Sequence, residues 1–164
     1  MSKVLVAYAS RYGSTAEVAQ AIGQELCSRG QAAEVRNVEE VQDLAAYDAV
    51  VVGSAIRMGR WLPPATAFVQ KNGAALRNLP VAFFTVHMLA TDDSDASRQQ
   101  RAAYTAAERD LVQPAAEAFF TGAIDPQKLN LMERMMVKMV KSPTGDLRNW
   151  EAIRSWADEA TPQA

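Results

Sequence analysis

The sequence predicts a doubly wound α/β domain, a parallel sheet covered by helices on both faces. Three observations predict it. Five short runs rich in Val, Phe and Ala recur along the chain, helical stretches separate them, and the runs are apolar on both faces instead of alternating. A strand without a polar face must be covered on both sides, and strands separated by helices pair in parallel.

The elements follow in order. KVLVAYA (3–9), AAEVRNV (32–38), DAVVVGS (48–54), PVAFFTV (80–86) and EAFFTGA (117–123) are the strand segments, each bounded by polar turns. Helices are expected over 14–29, stopping before Gly30, in a short piece near 39–46, over 63–76 with Pro63 and Pro64 near its start, and over 95–116. The acidic DDSD at 92–95 suits the positive end of that fourth helix and is assigned no metal. A last helix spans about 147–160, with Asp146 as its N-cap and Trp150, Ile153 and Ala157 turned toward the sheet. Cys27, in the first helix near Ile22 and Leu26, reads as a small buried apolar residue.

Composition narrows the partners. A chain of 164 residues, 49% apolar and 22% charged, can bury one core, so a single domain over 1–164 is expected. With 17 basic against 19 acidic residues the net charge is −2, which gives no reason to expect nucleic acid. The lone Cys27 cannot form an internal disulfide and the chain opens on a strand-like run, so cytoplasmic residence is the default expectation. No apolar run approaches the roughly 20 residues that cross a bilayer, so membrane contact would be peripheral, at the inner face.

In such sheets ligands bind at the carboxyl ends of the strands, beside the point where strand order reverses. After the first strand the chain reads Ser10-Arg11-Tyr12-Gly13-Ser14-Thr15, three hydroxyls around one glycine at a helix start. It is neither G-x-G-x-x-G nor a P-loop, because it has one glycine and no Lys before the Ser/Thr. Hydroxyls and helix-start amides without a lysine suit one phosphate monoester on a mononucleotide. Ser14 or Thr15 serving as a plain N-cap is the alternative.

That loop resembles the flavodoxin phosphate loop, and the succession of five strands fits the same family. Within it the chain is similar to the menaquinone-dependent protoporphyrinogen oxidase branch, on SRYGST, GSAIRMGRW (53–61) and MERMMVKMVKSPTGDLRNWEAI (132–153). The resemblance implies a five-stranded sheet in the order 2-1-3-4-5, an amphipathic helical insertion after the fifth strand (about 125–146), and bound FMN. It implies cofactor contacts from Ser10, Arg11, Tyr12, Gly13, Ser14 and Thr15, from Ser54, Ala55, Ile56, Arg57, Met58 and Gly59, and from Thr85, Val86 and His87. It also implies a two-electron enzyme passing hydride equivalents from a porphyrinogen to a quinone, with an electron carrier serving redox protein partners as the alternative.

The residues add physics to that resemblance. Carrier flavodoxins sandwich the flavin between aromatics, yet TVHMLATDDSDA after the fourth strand holds no Tyr or Trp, and the first aromatic after the third is Trp61. A more open ring face would suit a quinone or other stacking substrate. Arg57 beside the ring would stabilise anionic reduced flavin, and His87, the only histidine, has a pKa suited to proton transfer; these are the catalytic candidates, with an ordinary surface arginine and a capping or merely flavin-adjacent histidine as the alternatives. Met58 and Trp61 either cover the flavin or pack the third helix. In the insertion, Leu131, Met132, Met135, Met136, Met139 and Val140 share one helical face while Glu133, Arg134, Lys138 and Lys141 share the other. The apolar face either packs on the domain's own core or meets an irregular apolar ligand, and the lysines of 128–141 could meet anionic lipid or porphyrin propionates. The modest net charge favours the enzyme over a carrier that docks by acidic charge.

Overall fold

The computed structural model describes residues 2–160, so Met1 and 161–164 of the expected domain lie outside the described residues. In chain order the elements are β1 (Lys3–Ala9), α1 (Ser14–Ser28), β2 (Ala32–Asn37), β3 (Ala49–Arg57), β4 (Arg60–Trp61), α2 (Pro63–Lys71), α3 (Gly73–Leu76) and β5 (Val81–His87). They continue with α4 (Asp95–Tyr104), α5 (Ala106–Leu111), β6 (Ala116–Thr121), β7 (Ala123–Ile124), α6 (Leu131–Met139), β8 (Gly145–Asp146) and α7 (Trp150–Ala160).

Five strands pair in parallel in the order β2-β1-β3-β5-β6, which is the expected 2-1-3-4-5. The sheet separates two cores. Val4, Val6, Val51 and Phe84 meet Val18, Ile22, Ile153 and Ala157 of α1 and α7 on one side; Leu5, Val50, Val52 and Phe83 meet Phe68, Val69 and Leu76 of α2 and α3 on the other. Ile22 and Phe84 are fully buried, so truncating them to Ala costs about 2–5 and about 3–5 kcal/mol respectively. Gly53 is required by close approach, since a Cβ there would lie 2.0 Å from the Phe84 ring.

The register fixes the ligand edge. Ala9 stands beside Ser54, Ser54 beside Thr85, and His87 beside Thr121, so the loops after β1, β3 and β5 leave the sheet at one level. The order reverses between β1 and β3, where such sheets bind ligands.

Several boundaries differ from expectation, each for a local reason. The short helix at 39–46 reduces to a three-residue 3-10 turn, Val38–Glu40, because Asn37 and Asp43 side chains take the amides of Glu39 and Ala45. The 63–76 helix breaks at Asn72, whose side chain donates to the Phe68 carbonyl. The 95–116 helix is capped by Ser94, breaks at Thr105 and ends at Leu111, before Pro114. Thr105 donates to Glu117, and that bond favours the break. Asp146 is not the cap of α7: it lies in β8, held at a pKa of about 2 chiefly by hydrogen bonding from Arg148, while Asn149 accepts from the Ala152 amide. Trp150, Ile153 and Ala157 do pack toward the sheet. Cys27 is exposed, not buried, because one step of 100° past Leu26 turns it off the sheet-facing stripe. The fifth strand stops at Thr121, and Ala123–Ile124 pairs antiparallel with Gly145–Asp146 at the neck of the insertion.

Candidate functional site

The chain leaves β1 through Ser10–Tyr12 and enters α1 at Gly13, whose φ of +97° is a left-handed conformation that side chains resist. The Gly13 amide donates to Ser10 Oγ, 3.1 Å. No side chain caps α1, so its first amides face the loop without a protein acceptor. Thr15 is fully buried, and its Oγ1 has no hydrogen-bond partner. An orphaned buried hydroxyl beside an uncapped helix start is a costly arrangement that an anion would relieve.

β3 and β4 form a tight hairpin with Arg57 opposite Arg60, and Met58 and Gly59 at its tip have φ of +55° and +76°. The turn holds Met58 in a conformation unusual for a long side chain and leaves it 81% exposed on the lip of the site. Trp61 turns the other way. It is buried against Phe83, ring centroids 5.1 Å apart, and its Nε1 donates to Thr85 Oγ1 at 2.9 Å. Ser54, also buried, accepts from the Leu62 amide and donates to the Ala55 carbonyl. Ser54, Thr85 and Trp61 therefore brace the floor of the site from beneath.

At the end of β5, buried His87 sets Nδ1 2.7 Å from the Leu89 carbonyl oxygen. The proton accordingly sits on Nδ1, leaving Nε2 as an acceptor. Burial, the largest cause, and the nearby Arg101 charge push the imidazole pKa below its usual value, against the Leu89 hydrogen bond, so His87 is neutral at pH 7. Tyr104 lies 5.8 Å from the imidazole, ring centre to ring centre. Arg101 donates to the carbonyls of Ala90 and Asp92 and so fixes the loop after β5.

The insertion forms the roof. α6 starts with a capping box in which Asn130 accepts from the Glu133 amide and Glu133 accepts from the Asn130 amide. The same Glu133 carboxylate pairs with the Arg11 guanidinium at 2.8 Å and accepts the Tyr12 hydroxyl, which itself accepts from Arg11 Nε. Glu133, Met136, Val137 and Val140 thereby face the loop after β1 across a cavity of about 580 Å³. Its walls include Arg11, Tyr12, Ser14, Thr15, Ala55, Ile56, Arg57, Met58, Gly59, Val86 and His87. Ser10, Gly13, Ser54 and Thr85 lie outside that lining. Exposed Arg57 has no ion-pair partner among the described residues.

Sequence reasoning missed Glu133, Gln100, Tyr104 and the Gly122–Asp125 stretch as cavity wall. The one available signal was Asn130-x-x-Glu133, a capping box that marks where α6 begins and therefore which way it turns. Of the two alternatives for the α6 apolar face, burial on the domain's own core does not occur, since none of its residues is buried.

A doubly wound parallel sheet with an uncapped, hydroxyl-lined helix start at its switch edge is the architecture of α/β domains that hold a nucleotide phosphate. This chain belongs to the flavodoxin domain family, whose sequence model matches residues 5–149. It is 28% identical over 172 residues to protoporphyrinogen IX dehydrogenase [quinone] of Escherichia coli strain K12, covering 96% of this chain and 93% of that protein. A shorter match, 34% identical over 95 residues, covers 44% of this chain and 48% of an NAD(P)H dehydrogenase (quinone) of Cupriavidus metallidurans. Among solved structures, oxidised flavodoxin 1 of Bacillus cereus superposes with a TM-score of 0.61 at 15% identity over 96% of each chain, a likeness of fold.

FMN is the cofactor of flavodoxin domains, and the residues present fit its phosphate. The Thr15 hydroxyl lacks a partner, the α1 start lacks a cap, Gly13 keeps the loop open, and the loop is rich in N–H and O–H donors.

Proposed function

We propose that this protein is an FMN-dependent two-electron oxidoreductase that uses a quinone as acceptor and an apolar reductant of the porphyrinogen kind as donor. The observation that carries the proposal is the cavity itself, walled by Ile56, Met58, Met88, Leu89, Met136 and Val140, with Tyr12 and Tyr104 as its aromatic side chains and none from the turns after β3 and β5. Support also comes from the relatives, which are named for protoporphyrinogen and NAD(P)H dehydrogenation with quinone.

Bound FMN would supply a ring that takes up a hydride and gives back two electrons. Ser14, Thr15 and the first amides of α1 would hold its phosphate, with Arg11 and Tyr12 above them. Arg57, unpaired and at the wall, would stabilise negative charge on the reduced ring. Neutral His87 would accept a proton or hydrogen bond at Nε2 with its orientation fixed by the Leu89 carbonyl. The apolar roof would exclude water and favour a flat, apolar substrate. No helix among the described residues is long and apolar enough to cross a membrane, so a lipid-soluble quinone would be met by peripheral contact.

The test is anaerobic photoreduction of the FMN-loaded protein followed optically, with menadione added after full reduction. Direct passage to the two-electron level and rapid reoxidation by menadione are expected. Accumulation of a stable one-electron form with sluggish quinone reaction would instead make the protein a carrier for redox protein partners. Porphyrinogen is then tried as the donor, and its failure to reduce the flavin would remove that substrate while leaving the quinone.

A further inference from the structure

Tyr104 closes α4 and is the one large side chain which that helix buries, at 4% exposure. Its ring packs on the His87 imidazole, which in turn meets the Phe119 ring edge-on at 6.3 Å, so β5 and β6 hold it in place. A phenylalanine would pack there as well. The hydroxyl is what needs an explanation, because burying one costs free energy unless a partner compensates it.

The protein compensates it poorly. Among the described residues its one hydrogen bond comes from the Gln100 side-chain amide at 3.4 Å, beyond the usual range, and in that bond the hydroxyl oxygen accepts. The O–H donor is therefore unused. Burial, the largest cause, pushes the phenol pKa above its ordinary value, against Gln100 and Arg101, so the proton stays on the oxygen at neutral pH. Tyr104 and Gln100 both line the cavity, beside His87 and the apolar Val86, Met88 and Leu89. The contrast with the other polar side of the cavity is plain. Arg11, Tyr12 and Glu133 satisfy one another, whereas the pair from α4 keeps a donor to spare.

An apolar pocket with one spare neutral donor is complementary to a flat apolar molecule that carries a carbonyl oxygen. An anion is less suited to this wall, since the nearest guanidinium, Arg101, is already engaged by the carbonyls of Ala90 and Asp92. We infer that Tyr104 is the residue that recognises the acceptor: its hydroxyl donates a hydrogen bond to a carbonyl oxygen of the quinone, and the Gln100 amide orients that hydroxyl. The inference rests on the quinone reading above and adds to it the group that selects the acceptor. Tyr104 is in this role a binding and specificity residue, and it keeps its proton throughout.

The experiment compares menadione with methylnaphthalene, which has the same fused rings and methyl group without the carbonyls. Each is titrated into the full chain loaded with oxidised FMN, and binding is followed through the flavin absorption band. Wild type is expected to prefer menadione. Tyr104→Phe keeps the ring and deletes the hydroxyl; it should weaken menadione binding about three- to tenfold, the worth of one neutral hydrogen bond, and leave methylnaphthalene binding as it is. In turnover the loss should fall on KM for menadione, and the ratio of menadione to ferricyanide reduction at low acceptor concentration should drop by the same factor. Gln100→Leu should show a smaller loss of the same kind. Equal weakening of both probes would make Tyr104 a packing residue, unchanged menadione affinity would deprive its hydroxyl of this role, and a matching loss of FMN affinity would assign the hydroxyl to the cofactor; each of these overturns the inference. Menadione reduced equally well by wild type and Tyr104→Phe refutes the inference alone, whereas a wild type that neither binds nor reduces menadione refutes the quinone reading with it.

Discussion

Replacing Thr15 with Val keeps the shape of a fully buried side chain and deletes a hydroxyl that has no partner in the protein. Two effects of opposite sign follow. In the apoprotein the buried hydroxyl is desolvated without compensation, a penalty of about 1–3 kcal/mol, so Thr15→Val should gain about 1 kcal/mol and roughly 2–4 °C in melting temperature. If the loop holds the FMN phosphate as proposed, the same hydroxyl would donate to it, and a hydrogen bond to a charged group contributes about 1.5–3 kcal/mol. At about 1.4 kcal/mol per decade, the variant should bind FMN about 10- to 150-fold more weakly. Thermal denaturation of the apoprotein and quenching of FMN fluorescence on titration measure the two quantities. An apoprotein less stable than wild type, or an FMN affinity that does not change, refutes the assignment of this loop to the phosphate.

Glu133→Gln retains the acceptor of the α6 capping box and weakens the pairing with Arg11; because that ion pair is partly exposed, the loss is about 1 kcal/mol, and amide hydrogen exchange in α6 should quicken about fivefold while global stability barely moves. Unchanged exchange would mean that the carboxylate does not hold the roof. His87 gives a pH dependence of defined sign: its folded pKa lies below the usual 6.5, so as pH falls through about 6.5 the unfolded chain takes up a proton that the folded chain resists, and stability drops. His87→Asn should flatten the fall in denaturation midpoint between about pH 7 and 5, and an equally steep variant would assign the slope to other groups. Trp61→Phe removes the donor to Thr85 and should cost about 1–2 kcal/mol in urea denaturation with the flavin spectrum unaltered; a shifted flavin band would place the indole against the ring after all.

The sheet was legible because its signal is redundant. KVLVAYA, DAVVVGS and PVAFFTV have no polar face, and their short length and Val and Phe content mark strands covered on both sides. Helix interruptions at Asn72 and Thr105 were not legible, because they depend on side-chain bonds to the Phe68 carbonyl and to Glu117 that only the assembled fold supplies. The open helix start after β1 could be read from its hydroxyls and its glycine. The roof could not, for periodicity sorted α6 into an apolar and a charged half, while tertiary contact divided it along a different line. Glu133 faces inward because Arg11, far away in sequence, neutralises it there, and of the methionines only Met136 joins it while Met132, Met135 and Met139 stay exposed.

The neck of the insertion has an architectural consequence. Ala123 pairs with Asp146 and Ile124 with Gly145, the Leu147 amide donates to the Gly122 carbonyl, and so the two ends of the 125–144 segment emerge side by side. A segment whose ends already touch makes little demand on the domain that bears it, because a short turn could join Ile124 to Gly145 with the parallel sheet unaltered. The roof is in this sense a graft: it can be shortened, exchanged or transplanted onto another sheet of the same order, carrying its grip on the loop after β1 wherever an arginine stands at the position of Arg11.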